Sequence, residues 1–172
     1  MLMKMLEAGG MPILTDNLRT ADEDNLKGYY EFERVKQIAH DKSWLPEARG
    51  KAVKIISKLL KHLPPEHKFK VIFMQRKIEE TLASQQQMLI RRGKPTDTVS
   101  NEKMAELFRR HLVQLEAWLK QQPHIETMYI DYSEMIASPA EQAEKLNQFL
   151  GNRLTAEAMA SVVDPSLYRQ RC

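Results

Sequence analysis

Three apolar runs in this chain end in residues able to bind an anion or do acid–base chemistry. Ala52-Val-Lys-Ile-Ile56 is followed by Ser57 and Lys58, and Phe69-Lys-Val-Ile-Phe-Met-Gln75 by Arg76, with Ser84 eight positions further on. Ile125 to Ile130 is followed by Asp131 and Tyr132. In open parallel α/β sheets, ligands sit beyond the carboxyl ends of the strands, where helix N-termini also point free N–H groups. Collected there, these residues would offer a cation, hydroxyls and an aromatic ring to an anionic nucleotide. Taken singly, each also reads as structural: an arginine at a strand end is equally a solvated charge or a cap partner. Glu31 and Glu33 follow the pair Tyr29-Tyr30. A carboxylate beside a cleft wall can act as a general base, and one at a helix start can simply be favoured by the helix dipole.

The elements that must position these groups follow from periodicity and punctuation. Residues 1–8 are helical and end at Gly9-Gly10, a C-cap signal. Residues 12–15 form a short strand candidate, and residues 16–25 a polar loop with the acidic cluster Asp22-Glu-Asp24. A helix passes through Val35 and Ile38 and stops before Pro46. Residues 52–56 are a strand, and 59–63 a short helix or turn halted by Pro64-Pro65. Val71-Ile-Phe-Met74 is short and continuously apolar, as in a parallel strand covered on both faces, and a helix over 78–92 follows at once. Ser100 opens a long amphipathic helix in which Met104, Leu107, Phe108, His111, Leu115 and Trp118 repeat at helical spacing. His111 within that stripe reads as a core histidine. Residues 125–130 form the last strand. Ser138-Pro139 starts a further helix with serine as its cap, closing at Gly151, and a short helix spans 155–162. Strands alternating with helices, without hairpin signals, predict an α/β fold with a parallel sheet flanked by helices. A length of 172 residues predicts one domain over 1–172.

Composition narrows the function classes. Hydrophobic residues at 42% and charged ones at 28% are ordinary globular values. A net charge of +3 suits a small polyanionic ligand, while the dense Lys/Arg runs of a nucleic-acid arm are lacking. Arg91-Arg92 reads as a solvated helix end that could help attract an anion. The single cysteine, Cys172, permits no intrachain disulfide and fits a reducing, cytoplasmic setting. No apolar run reaches the roughly 18 residues of a membrane span. His40, His62, His67, His111 and His124 are scattered, so no metal site is expected. A Gly-x-Ser-x-Gly elbow and a Gly-rich phosphate loop are both missing from the sequence.

In their order, these pieces resemble the bacterial branch of the sulfotransferase family, with its P-loop-type α/β fold and its donor 3′-phosphoadenosine-5′-phosphosulfate (PAPS). The likeness covers nearly the whole chain. Met1 to Gly10 resembles the helix that follows the family's 5′-phosphosulfate loop. Val71-Ile-Phe-Met-Gln-Arg76 with Ser84 resembles its 3′-phosphate motif. Ile130-Asp-Tyr-Ser-Glu-Met135, Ser138-Pro-Ala-Glu141 and Leu146-Asn-Gln-Phe-Leu-Gly151 resemble its strand, acidic turn and helix, the most specific of the three.

By this resemblance Arg76 and Ser84 bind the 3′-phosphate, and Tyr132 lies near the adenine. Cytosolic members carry a catalytic histidine just after the strand that here is 52–56. Its place is taken by Ser57, assigned with the nucleotide-binding residues, and His62 comes too late. Other members use a glutamate after the second strand, which points to Glu31, with Glu33 next. The family's first strand and its phosphosulfate loop do not occur in this sequence, and the resemblance implies that Met1 is an internal methionine of a longer enzyme. A weak or inactive form is therefore expected. The acceptor would be a small molecule or glycan with a hydroxyl or amine, selected by loops 16–30 and 93–101; no nucleic-acid or membrane partner is expected, and oligomerisation is left open. Two rivals remain: a non-catalytic nucleotide-binding or interaction module of the same fold, and a nucleotide kinase, which would need a Gly-x-x-x-x-Gly-Lys loop and a Mg²⁺-binding carboxylate such as Asp131.

Overall fold

In the computed structural model, the described residues are 1–18, 28–91, 93, 95 and 100–167. The cluster Asp22-Glu-Asp24, Arg92, most of loops 16–30 and 93–101, and the tail 168–172 with Cys172 lie outside them. The chain divides into two compact units, one of residues 1–67 and 134–163, the other of 68–133 and 164–172.

The second unit contains the sheet. β1 (Phe69–Gln75) and β2 (Ile125–Asp131) run parallel and in unbroken register, from Phe69 opposite Ile125 to Gln75 opposite Asp131. A parallel pair cannot be closed by a tight turn. The crossover is made here by α2 (Ile78–Arg91) and α3 (Asn101–Leu119). Phe73 and Tyr129, opposite each other in the register, bring their rings to 5.7 Å. Leu112, Leu115 and Leu119 of α3 line a shallow crevice with these two rings, so α3 covers that face. Lys70 and Glu126, also directly opposite, form an exposed 2.9 Å ion pair, a contact that adds at most about 1 kcal/mol.

The apolar run Val71 to Met74 is half-buried instead of covered on both faces. The reason is the narrow sheet: among the described residues β1 has one partner, β2. Ser100 caps α3 as its sequence predicts, its Oγ accepting from the Lys103 N–H at 3.3 Å. Leu107 leaves the apolar stripe and is exposed, and His111 is half-buried.

The first unit holds most of the deeply buried side chains, among them Met5, Ile38, Trp44, Met135, Leu146 and Met159. α1 (Leu2–Ala8) ends as its glycines dictate: Gly10 N–H donates to Glu7 O and Met11 N–H to Leu6 O, with Gly10 at φ +95°. This is a Schellman closure, which needs a left-handed residue at that place. Gly9 is required for a different reason. α1 packs on α6 (Ala156–Ser161), Thr155 N–H donates to Gly9 O at 3.0 Å, and a Cβ on Gly9 would lie 2.6 Å from Cγ of the buried Met159. Gly9→Ala is therefore expected to destabilise the fold by about 1–3 kcal/mol, read as a lower urea midpoint with an unchanged slope.

Two expected strands of this unit are reduced to one contact. Residues 12–15 and 52–56 meet at a single parallel bridge, Ile13 to Ala52, with Leu14 N–H donating to Ala52 O and Ala52 N–H to Pro12 O. Their apolar content favours extended backbone, but among the described residues the ladder stops at that bridge. The helix expected through Val35 and Ile38 is a short 3₁₀ segment (Glu33–Gln37) followed by turns, and Ser57 opens a second one (Ser57–His62). α4 (Tyr132–Ala137) follows β2 without a loop, and α5 (Pro139–Phe149) has Pro139 in its first turn as predicted. Ser138 precedes α5, but its side chain makes no capping hydrogen bond, its backbone (φ −136°, ψ 61°) having left the usual cap geometry. The result is an α/β fold with a parallel two-stranded sheet and flanking helices, consistent with the P-loop-like architecture that the sequence predicts.

Candidate functional site

The register of the sheet builds the candidate site in the second unit. Gln75 and Asp131 are the last paired residues of β1 and β2, so the next residue of each strand, Arg76 and Tyr132, emerges at the same edge. The Arg76 guanidinium carbon sits 4.9 Å from the centroid of the Tyr132 ring, within cation–π range. β1 is followed by only Arg76 and Lys77 before α2 begins, and Glu80 lies in the first turn of that helix. Arg76 Nε donates to Glu80 Oε2 at 2.9 Å.

Glu80 is 1% exposed and the Arg76 side chain 24%. A buried carboxylate is costly unless it is paired. Here the arginine and the positive end of α2 both compensate it. Asp131 is tied up locally: its Oδ1 accepts from the Ser133 N–H at 2.7 Å and from the Ser133 hydroxyl. It thus caps the start of α4, which sets Tyr132 as the first helical residue. Burial pushes the Tyr132 hydroxyl above its ordinary range, with Arg76 opposing and Glu80 adding to the shift, so the ring stands over the arginine as a neutral phenol. Ser84 is exposed on α2, four residues past Glu80 and on the same side of the helix.

The other predicted residues belong to the first unit. Glu31 is half-buried, and its Oε1 lies 3.4 Å from Lys54 Nζ, which also donates to Tyr29 O at 3.1 Å. The Glu31 carbonyl accepts from Thr15 Oγ1 at 2.9 Å and from the Asp16 N–H at 3.2 Å, fixing its backbone. Tyr30, immediately before it, is left-handed at φ 51°, a conformation rare for an aromatic residue. The Tyr30 hydroxyl donates to Glu7 Oε2 at 2.6 Å, and burial together with that carboxylate pushes its pKa up to about 12. Glu33 is more open: its carboxylate is 45% exposed and pairs with Lys36 Nζ at 2.5 Å. Its N–H donates to Asp16 Oδ2 at 2.6 Å, and this bond, with one from the Leu18 N–H, holds the Asp16 carboxyl below its usual range. Ser57 is half-buried at the head of its 3₁₀ turn.

Arg76 and Tyr132 are thus brought into direct contact, with Ser84 one turn beyond the glutamate that holds the arginine. Sequence reading missed Glu80, Lys54 and Asp16. The Arg76 to Glu80 spacing of an i,i+4 pair was the available signal for the first. Among the described residues, His, Cys, Asp and Glu form no group able to hold a metal ion, and no helix is long and apolar enough to cross a membrane.

A family model for the sulfotransferase domain matches residues 20–170, a span that includes all six of these predicted residues. No curated protein and no solved structure matches the chain.

Proposed function

The chain belongs to the sulfotransferase family, and from that premise we propose that it uses PAPS to sulfate a hydroxyl or amine of a small-molecule or glycan acceptor. The observation that carries the nucleotide assignment is Arg76 at the carboxyl end of β1, held by buried Glu80 and lying against the Tyr132 ring. A guanidinium fixed in this way suits a phosphate, which it can bind through paired N–H donors. The half-buried Tyr132 ring and the exposed Ser84 hydroxyl fit the adenosine 3′-phosphate end of the donor. No Gly-rich loop of this sequence fits its phosphosulfate end.

When bound, the donor supplies a sulfur electrophile whose bond to the phosphate oxygen breaks as the acceptor's oxygen or nitrogen attacks. Arg76 and Ser84 hold the 3′-phosphate through that event, so they orient the nucleotide without touching the sulfur. The acceptor's proton passes to a carboxylate of the segment 29–33. Glu31 suits this better than Glu33: it is the less exposed of the two, its Oε1 lies 3.4 Å from Lys54 Nζ, and its backbone is pinned by Thr15 and Asp16. Lys36 already binds the Glu33 carboxylate in a short, solvent-open pair. Ser57 contributes a hydroxyl to the nucleotide's binding. The single cysteine and the lack of basic runs favour a cytoplasmic enzyme with no nucleic-acid partner.

Calorimetry with adenosine 3′,5′-bisphosphate against adenosine 5′-monophosphate tests the nucleotide assignment. Preference for the bisphosphate supports it, and equal affinity refutes it. Nucleotide preference without label transfer from ³⁵S-labelled donor to any acceptor would favour the non-catalytic module of the same fold.

A further inference from the structure

Resting on the 3′-phosphate reading above, we infer that Glu80 is a positioning residue that holds the Arg76 guanidinium ready for the phosphate. Glu80 touches no ligand in this account. Its carboxylate is the most deeply buried charge of the second unit among the described residues, at 1% exposed, and its Oε2 receives Arg76 Nε at 2.9 Å. Arginine is otherwise a long side chain with large rotamer freedom, and ordering it costs affinity each time a ligand binds. Two contacts meet that cost before binding. The Nε bond to Glu80 fixes the position of the guanidinium, and the Tyr132 ring 4.9 Å away limits its plane. Glu80 is itself held, because its backbone lies in the first turn of α2, where the helix dipole favours a carboxylate.

A buried carboxylate beside an anion site would ordinarily repel the anion. Here its charge is already matched by Arg76. Its contribution is therefore geometric: a guanidinium held in advance binds phosphate better than a mobile one, even though Glu80 consumes part of its charge.

The test is the ratio of affinities for adenosine 3′,5′-bisphosphate and adenosine 5′-monophosphate, measured by calorimetry on the full chain. Glu80→Gln and Glu80→Asp are each expected to lower that ratio about tenfold, with 5′-monophosphate affinity unchanged. In an Arg76→Lys background the same changes are expected to have no further effect on the ratio. A merely structural role would weaken both nucleotides alike, and that result overturns the inference, as does an unchanged or increased ratio in a variant that melts like the parent. Should Glu80→Gln fail to fold, Glu80→Asp, which keeps the charge and shortens the reach, gives the deciding ratio. A parent chain with no preference for the bisphosphate overturns the 3′-phosphate reading, and this inference with it. A parent with that preference, alongside variants that keep it, overturns the role of Glu80 alone.

Discussion

Glu31→Gln is expected to lower the rate of sulfuryl transfer by about 10²–10⁴-fold, measured as label passed from ³⁵S-labelled donor to acceptor with enzyme in excess. Glutamine keeps the side chain's shape and a hydrogen-bond acceptor for Lys54, so the variant should fold and bind nucleotide as the parent does. What it cannot do is take a proton from the acceptor. Glu33→Gln is the control: its carboxylate is half-exposed and engaged by Lys36, so the rate should stay essentially unchanged. A large loss in Glu33→Gln with none in Glu31→Gln would move the base by two residues. A loss in neither would remove this segment from the chemistry.

Arg76→Lys is expected to weaken adenosine 3′,5′-bisphosphate binding by roughly tenfold to a hundredfold, the range of a charge-assisted hydrogen bond. Affinity for adenosine 5′-monophosphate, which lacks the 3′-phosphate, should not change. Lysine is preferable to alanine here because Arg76 has two duties. Arg76→Ala would take from buried Glu80 the guanidinium that pairs with it at 2.9 Å, and breaking a buried pair typically costs up to about 3–5 kcal/mol, so weaker binding would then be mixed with a weaker fold. Lysine retains a cation near Glu80 but loses the planar fork and the Nε donor. Thermal melts of the two variants should accordingly separate, with Arg76→Ala the lower.

The parts of the fold legible in the sequence are those encoded by local chemistry. β1 followed directly by α2, the Ser100 cap of α3, Pro139 in the first turn of α5 and the Gly9-Gly10 end of α1 each depend on a few adjacent residues. Elements that depend on a partner were less legible. Residues 52–56 have the apolar content of a strand, yet extended backbone becomes a strand only where a ladder continues, and among the described residues it ends at Ala52. Ser138 has the residue type of a cap, but its backbone angles place the hydroxyl out of use.

The site was legible to the same degree. Arg76 and Tyr132 could be placed together because both follow strand ends, and a parallel, in-register pair turns that sequence position into contact. Glu80 was hidden: a glutamate in the first turn of a helix is ordinarily a solvated residue favoured by the dipole, and nothing in its neighbours states that it is buried. Lys54 was hidden as well, because its partners Tyr29 and Glu31 lie more than twenty residues away in the chain. Such pairings arise from tertiary packing and have no local signature.

The central claim is that the end of β1, through Arg76, reads a 3′-phosphate. Its most direct test is calorimetric titration of the unmodified chain with adenosine 3′,5′-bisphosphate and, separately, with adenosine 5′-monophosphate at the same ionic strength. The account predicts binding of the bisphosphate at least about tenfold tighter than the monophosphate. Equal affinity for the two, or binding of neither, would contradict it.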